Sequence, residues 1–270
     1  VALLAVVPVV VHSNVVLNFL VIALMIALAG QGWNILGGYG GQYSFGHAAF
    51  FGTGAYVTAI LQARYGVNAW PAFAVGIIAG AALGGVIGAL TFRSGRRGSY
   101  FALVTLAFAE TFHVLATGLD FTSGGQGINL PWHPGFAQFQ FADRRASYAV
   151  MLVLLALATG LALWLRRSRF GARLAAIREN EDAARALGVN IVRTKTAALA
   201  LSGAITALGG VVYCQTYLFV DPQIAFGVER SVEMLLVAMI GGAGTVWGPI
   251  FGAIALHAVA DTARAWIQTP

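Results

Sequence analysis

The side chains best suited to chemistry or binding lie together in one short stretch, residues 169–190. Six charged residues fall within thirteen positions there, although charged residues make up only 10% of the 270-residue chain. Four apolar residues recur between them at spacings of three, seven and three, which places them on one face of a helix. Gly188 then follows as a helix-ending residue. The apolar residues are Leu174, Ile177, Ala184 and Leu187, and the charged ones are Arg173, Arg178, Glu179, Glu181, Asp182 and Arg185. This pattern predicts an amphipathic helix that lies on a membrane surface or docks against another protein.

The remaining polar residues do not form a catalytic pattern. The five histidines are scattered along the chain, without the spacing of metal ligands. A phosphate-binding G-x-x-x-x-G-K-[ST] loop is absent from the sequence, so the chain is not expected to hydrolyse ATP itself. We therefore expect no catalytic residues, no metal and no cofactor of its own. The histidines are His12, His47, His113, His133 and His257.

A second candidate site is the glycine-rich segment G-G-Y-G-G-Q-Y-S-F-G-H at residues 37–47. Five glycines interrupt an apolar region there, and Ser44 is predicted to cap the helix that follows. A broken helix that exposes its N-terminal amides would suit a substrate carboxylate. The candidate pathway residues are Gln42, Ser44, Gly46 and His47. The alternative interpretation is a plain turn between two spans.

Two acidic residues, Glu110 and Glu233, lie within apolar runs. A charge there is costly and is expected to face the bundle interior with a partner. His113, one helical turn from Glu110, and Arg230, near Glu233, are the candidate partners. Structural pairing is the favoured role, and a proton relay is the alternative.

Composition predicts the elements that must position these residues. Hydrophobic residues make up 59% of the chain and there are 34 glycines as well, whereas soluble domains are roughly 45–50% apolar with glycine included. The apolar runs do not alternate with polar residues, which favours membrane-spanning helices over a barrel. The net charge of +6 resides at the ends of these runs, which indicates orientation signals rather than nucleic-acid binding. Cys214 is interpreted as a buried small residue.

The predicted fold is a single all-α domain over residues 1–270, a polytopic transmembrane bundle of roughly eight to nine helices, some broken or re-entrant. Glycines repeat every fourth residue in two strips, which we interpret as helix-packing seams. The strips are Gly76, Gly80, Gly84 and Gly88, and Gly244, Gly248 and Gly252. The complete spans are predicted at 15–36, 69–92, 100–119, 148–165 and 196–218. Three further helical segments are predicted: one that ends near residue 63, one at 228–240 and one at 250–267. The segment 228–240 is short enough to be re-entrant, which leaves the exact number of spans and the side of the C-terminus open.

Orientation follows from the basic residues, eleven of which lie on one predicted side. The positive-inside rule places loop 166–195 and residues 93–99 in the cytoplasm, and loops 120–146 and 219–227 outside. The eleven are Arg93, Arg96, Arg97, Arg166, Arg167, Arg169, Arg173, Arg178, Arg185, Arg193 and Lys195. Arg144 and Arg145 are a mild exception.

The segment D-A-A-R-A-L-G at 182–188 resembles the E-A-A-x-x-x-G loop of bacterial ABC importer permeases, with Asp182 in place of the glutamate. Further segments occur in the order found in the LivM-type permease subunits of branched-chain amino-acid ABC transporters. They are G-G-Q-Y-S-F-G-H-A-A-F-F-G-T-G-A-Y (40–56), R-G-S-Y-F-A-L-V-T-L-A-F-A-E (97–110), T-S-G-G-Q-G-I (122–128), A-I-R-E-N-E-D-A-A-R-A-L-G-V-N (176–190) and I-G-G-A-G-T-V-W-G-P-I-F-G-A (240–253). Such permeases usually carry a further span and a basic tail, so the chain is expected to be truncated.

The resemblance implies a permease of the bacterial inner membrane that forms the translocation path with a second, LivH-like permease or a second copy of itself. Two ABC ATPase subunits bind the ATP and dock beneath, and a periplasmic substrate-binding protein delivers the substrate. Ile177, Ala184 and Leu187 would enter the ATPase groove, and Arg178, Glu181, Asp182 and Arg185 would hold its rim. The whole predicted coupling helix comprises Ile177, Arg178, Glu179, Glu181, Asp182, Ala183, Ala184, Arg185, Leu187 and Gly188.

Other functions are compatible with the same residues. Similar permeases carry urea or short amides instead of branched-chain or other apolar amino acids. An ion-coupled secondary transporter or channel, and a structural membrane scaffold, are the alternatives of a different class. Neither of them needs a helix outside the membrane that is presented to an ATPase.

Overall fold

The structure, a computed structural model, describes residues 14–93 and 98–268. Eleven α-helices form within these ranges, with one π-helix at Ile35–Tyr39 that continues the first of them. The α-helices are α1 (Asn14–Asn34), α2 (His47–Tyr65), α3 (Ala69–Arg93), α4 (Ser99–Gly118), α5 (Arg144–Arg167), α6 (Arg169–Glu179), α7 (Glu181–Ala186), α8 (Ile191–Tyr217), α9 (Pro222–Phe226), α10 (Val228–Gly241) and α11 (Gly248–Gln268). The predicted all-α class is confirmed. The apolar run 1–11, His12, Arg96 and Arg97 lie outside the described residues.

Five of the described helical segments are long and apolar enough to cross a membrane. They are Val15–Tyr39, Ala69–Arg93, Tyr100–Gly118, Arg144–Arg167 and Ile191–Tyr217. Each coincides with one of the five complete spans predicted from the sequence, because long uncharged runs are the strongest signal that a sequence carries. Helix α10 has 14 residues, which at 1.5 Å per residue reach about 21 Å and fall short of a hydrocarbon core of about 30 Å.

The helices run between two distinct ends of the bundle. One end, here called the arginine-rich end, holds α6 and α7, and Arg178 there donates a hydrogen bond to the Gly38 carbonyl. The opposite end holds residues 119–143, where three 3₁₀ turns, at Asp120–Thr122, Gly124–Gln126 and Phe136–Gln138, replace the loop expected from the sequence. Strand β1 (Ile128–Asn129) pairs there antiparallel with β2 (Phe219–Val220). The short sheet ties this segment to the end of α8.

Helix α8 lies at the centre of the fold, and glycines bring its neighbours close to it. A Cβ on Gly84 of α3 would lie 2.5 Å from the Leu199 carbonyl oxygen, and one on Gly88 would lie 3.0 Å from the Thr196 Cα. Gly76 and Gly80 likewise face α8. The first predicted glycine strip is therefore a packing seam between α3 and α8, of the kind that small residues form between membrane helices.

The second predicted strip is only partly helical. Gly244 lies in the loop before α11 with a φ of +80°, a conformation that glycine adopts without a steric penalty. Gly248 begins α11, and Gly252 approaches the Val237 carbonyl of α10. The close packing of α10 on α11 thus depends on Gly252. Gly244 instead shapes a loop, because the helix starts later than the repeat suggests.

Replacing Gly84 with alanine is expected to destabilise the chain, because the new Cβ would press on the backbone of α8. Gly85 is the matched control: it is the next residue of the same helix, and the nearest neighbour of a Cβ there is the Ala200 side chain at 4.0 Å. Gly85→Ala should leave stability unchanged or raise it, since alanine exceeds glycine in helix propensity by about 1 kcal/mol. Thermal unfolding in detergent measures the stability of both variants. Equal unfolding midpoints would contradict the proposed close packing of α3 on α8 at Gly84.

Candidate functional site

Residues 169–190 form two helices instead of the single amphipathic helix predicted. The chain breaks at Asn180, whose backbone is extended and whose side-chain oxygen accepts hydrogen bonds from the amides of Asp182 and Ala183, both at 3.0 Å. Asparagine is among the preferred N-cap residues, so α7 starts afresh there. Gly188 ends the stretch with a φ of +83°, as its position predicts.

The break changes which apolar residues face outward. Ile177 and Ala184 are buried against Ile191 of α8, and Leu174 packs close to Gly40. Leu187, in contrast, is 83% exposed. Ile177 and Ala184, which were predicted to enter a partner's groove, therefore do not present their side chains outward in this structure, because both already pack inside the chain. Leu187 is the outward-facing apolar residue of the predicted set.

The rim residues also divide into two groups. Glu181 points into the chain, where its carboxylate lies 2.8 Å from the Lys195 ammonium, and both side chains are largely buried. Lys195 also lies over the Phe92 ring. Asp182 and Arg185 stay exposed, 3.5 Å apart, with Ala183 exposed beside them. The predicted rim role thus fits Asp182 and Arg185 but not Glu181, whose charge is neutralised internally.

Arg178 connects α6 to the end of α1. Its Nη1 donates to the Gly38 carbonyl at 3.1 Å, and its Nη2 pairs with the Glu179 carboxylate at 2.9 Å. Gly41 makes room for this side chain, because a Cβ there would lie 2.6 Å from the Arg178 Cγ. The two short helices are therefore fixed to the bundle at Arg178 and at Glu181.

The glycine-rich segment 37–47 departs from its prediction in its first half. Gly37 and Gly38 remain helical, within the π-helix, so the non-helical part is residues 40–46. The Trp33 indole donates to the Ser44 carbonyl at 2.8 Å, which places Ser44 beside the last turn of α1, more than one helical turn before the end of the π-helix that continues it. A plain turn between two spans, the alternative interpretation, would lie beyond the helix ends rather than beside Trp33. The segment turns back along α1 before α2 begins.

The polar groups expected to line a pathway are instead buried in a closed network. His47 is fully buried, with Nδ1 3.0 Å from the Ser44 hydroxyl and Nε2 2.8 Å from the Ser202 hydroxyl. Ser202 in turn donates to the Gly32 carbonyl. Ser44 and Gly46 are buried as well, and Gly46, not Ser44, is the N-cap of α2. Ser44 misses the cap position because the helix starts three residues after it.

The N-terminal amides of α2 are not available to a substrate carboxylate either. The amide of Ala48 donates to the Ser231 hydroxyl of α10 at 2.8 Å, and that of Ala49 bonds the Gly46 carbonyl. Both residues are completely buried. Gln42 is the one predicted pathway residue that reaches a cavity, a groove of about 600 Å³ bordered by Tyr43 and Leu103.

The two intramembrane acids are paired as predicted but occupy different surroundings. Glu233 is mostly buried, 2.6 Å from Arg230 and 3.5 Å from His257. Glu110 lies 3.3 Å from His113 but is 52% exposed on α4. The expectation that Glu110 faces the bundle interior is wrong for this chain taken alone, because the buried side of α4 carries Thr105 and Ala109 instead.

A polar clasp between α1 and the loop 242–247 was missed at the sequence level. Asn34 donates to the Thr245 carbonyl and accepts from the Gly244 amide, both at 2.8 Å, and Gln31 donates to the Val246 carbonyl at 2.7 Å. Two amides one helical turn apart in an apolar span are the signal that would have indicated it.

Within residues 14–93 and 98–268, no three metal-binding side chains converge.

Removing the Lys195 ammonium is expected to destabilise the chain strongly. Lys195→Met leaves the Glu181 carboxylate without its closest cation, a change that costs about 3–5 kcal/mol for buried pairs. The double variant Lys195→Met/Glu181→Gln should recover much of that loss. The control Glu179→Gln should change little, since exposed pairs contribute about 0–1 kcal/mol. Unfolding midpoints in detergent compare the four proteins, and a double variant less stable than Lys195→Met would refute the pairing.

Comparison with known proteins identifies the family. A family model described as branched-chain amino acid transport system / permease component matches residues 15–270. The chain is 27% identical over 259 residues to the high-affinity branched-chain amino acid transport system permease protein LivM of Escherichia coli (strain K12), covering 87% of this chain and 60% of that protein. It is 28% identical over 253 residues to LivM of Salmonella typhimurium, covering 85% of this chain and 59% of that protein.

The second permease type of these transport systems is related as well. The chain is 26% identical over 259 residues to the permease protein LivH of Escherichia coli (strain K12), covering 90% of this chain and 83% of that protein. The comparison with solved structures gives no significant match.

The chain spans about three fifths of the length of the LivM relatives. These relatives are transport permeases rather than enzymes, and five described helices are able to cross a membrane. The chain is therefore a multi-pass membrane protein that belongs to the family of branched-chain amino acid transport permease components.

Proposed function

We propose that this chain is the permease subunit of an ABC importer for branched-chain or other apolar amino acids in the bacterial inner membrane. The arginine-rich end faces the cytoplasm, and separate ATPase subunits bind ATP and dock on α6 and α7. The observation that carries this proposal is Leu187, a large apolar side chain left 83% exposed on a helix that is otherwise fastened to the bundle.

The surface around Leu187 has the features of a docking site. A groove of about 510 Å³ lies beside it, bordered by Phe170, Arg173 and Arg193. An exposed apolar side chain surrounded by charged groups is typical of a protein interface, in which the apolar anchor supplies affinity and the rim supplies specificity. Asp182 and Arg185 are exposed on α7, the helix that Leu187 follows, and would form part of that rim.

The fastening of α6 and α7 suits them to transmit a movement. Arg178 holds α6 to the π-helix that continues α1, and Glu181 holds α7 to Lys195 near the start of α8. A displacement of the two short helices would therefore act on two long helices at once. Such a rigid connection is what an ATP-driven change of the transmembrane path requires.

The second permease subunit is proposed to cover helix α4. Residues spaced three and four apart along α4 are exposed, which forms a continuous stripe on a helix able to cross a membrane. A lipid-facing carboxylate would be costly, so the stripe fits a protein or aqueous surface better than lipid. The stripe comprises Leu103, Ala107, Glu110, Val114 and Thr117. The partner is a LivH-like permease or a second copy of this chain, and a periplasmic binding protein delivers the substrate to the opposite end.

Replacing Leu187 with glutamate is expected to disrupt docking without unfolding the chain, because the side chain contacts little of its own bundle. Burial of a leucine contributes about 1.5–3 kcal/mol, so ATPase association should weaken by about ten- to a hundredfold. Uptake of labelled leucine and ATP hydrolysis by the reconstituted complex measure the effect. Ala184 is unsuitable for this test, since it is buried within the chain.

The matched control is Tyr65→Glu, which changes an exposed apolar residue at the opposite end of the bundle, where α2 ends. This variant should associate with the ATPase subunits as the unaltered chain does. If Leu187→Glu retained full association and full uptake, the docking proposal would be refuted. Recovery of the unaltered chain as a functional carrier without ATPase subunits would refute the importer itself.

A further inference from the structure

A groove of about 390 Å³ runs between α10 and α11. Val232, Leu236 and Leu256 form apolar walls, while Glu229, His257 and Arg264 bring ionisable groups to the same space. Cavities of about 300–1,000 Å³ with apolar walls and a few polar groups are typical of small-molecule sites. The composition of this groove therefore suits a small ligand that is both apolar and charged.

The polar side of the groove is held in place by buried charges. Arg230 lies over the rings of Phe51 and Tyr213 and binds the Glu233 carboxylate at 2.6 Å. The other Glu233 oxygen lies 3.5 Å from His257 Nε2, a contact too poorly aligned to count as a hydrogen bond. That nitrogen is buried and lacks a hydrogen-bond partner in the described chain.

Glu229 stands at the entrance to the groove with its carboxylate exposed. It forms no ion pair or side-chain hydrogen bond with the described part of the chain, unlike Glu233 one turn later. Arg264, on the facing helix, is exposed and only 3.7 Å from Asp261. The Glu229 carboxylate on one helix and the Arg264 guanidinium on the other thus face the same cavity.

The depth of these groups argues against a purely structural role. Ser231, next to Arg230, accepts a hydrogen bond from the Ala48 amide near the start of α2, and Arg230 packs on Phe51 of that helix. These contacts place the start of α10 within the bundle, well away from both ends. Ionisable residues at such depth are costly and usually mark a substrate path.

The larger cavity beside Gln42 does not offer the same chemistry. Its volume is about 600 Å³, but the described residues that line it include no charged side chain. An amino-acid zwitterion placed there would lose the hydration of both charges without compensation. The α10–α11 groove is smaller but carries both signs of charge.

We propose that the α10–α11 groove is a substrate-binding site for an apolar amino acid during its passage. The ammonium group lies toward Glu229, the carboxylate lies toward His257 and Arg264, and the side chain lies against Val232, Leu236 and Leu256. This assignment rests on the proposed importer function and adds a location for the substrate within this subunit.

The test uses the complete importer, purified with its partner subunits and binding protein and reconstituted into vesicles. Initial rates of ATP-driven uptake are measured for leucine, valine and alanine. Glu229→Gln removes the carboxylate charge without changing the size of the side chain. It should lower uptake of all three by about tenfold or more, because a hydrogen bond to a charged group is lost.

A second variant, Leu236→Phe, reduces the space beside the apolar wall of the groove. It adds a readout that a structural defect would not produce. Leucine uptake should fall at least fivefold more than alanine uptake, because the larger side chain no longer fits. Ile240→Phe is the matched control, since Ile240 is exposed on the same helix but does not line the groove. The leucine-to-alanine ratio of that control should equal that of the unaltered importer.

Different results would refute the groove assignment and the importer function. If the unaltered importer takes up leucine while Glu229→Gln retains its full rate and Leu236→Phe keeps the original leucine-to-alanine ratio, the groove assignment is overturned and the importer function stands. If the unaltered complex shows no ATP-driven leucine uptake, the importer function is overturned, and the groove assignment fails with it.

Discussion

A backbone that leaves the helical conformation inside a bilayer must satisfy its N–H and C=O groups from within the protein, and this constraint explains several of the polar side chains in the core. Two segments of this chain are non-helical and need such partners. Residues 40–46 obtain their partners from Trp33 and Thr105, and the loop 242–247 obtains them from Gln31 and Asn34. Helix α1 thus supports both irregular segments, which accounts for polar residues in its otherwise apolar second half.

The same requirement determines how the helices meet. His47 bridges Ser44 and Ser202, so the irregular segment is joined to α8 through one imidazole. Glycines on α3 let that helix approach α8 closely from the other side. Because α8 also begins beside the Glu181–Lys195 pair, the hydrogen-bonded core and the arginine-rich end share one rigid helix. An effect at α7 therefore reaches the centre of the bundle without passing through a flexible linker.

The sequence predicted the long helices well and the irregular segments poorly, for a physical reason. Five spans are visible as long apolar runs, and the first glycine strip predicted its own packing seam. The face that a short helix presents depends instead on long-range contacts. Ile177 and Leu187 look equivalent by periodicity, yet Ile191 buries the former and nothing in the described chain covers the latter. Asn180 could have been recognised as a cap, since E-D follows it, but the apolar spacing across it favoured one continuous helix. Ser44 and His47 were noticed as polar residues, but only tertiary contacts distinguish a closed network from an open path.

The π-helix at the end of α1 restricts how many residues can separate the contacts of Asn34 from those of Gly38. A π-turn accommodates one more residue than an α-turn, and it usually corresponds to a single-residue insertion. Losing one residue between Ile35 and Tyr39 would rotate everything before it by about 100° relative to everything after it. Asn34 would then turn away from Thr245 while Gly38 kept its contact with Arg178, or the reverse. Geometry therefore fixes the number of residues between these two anchor points, which a substitution preserves and a deletion does not.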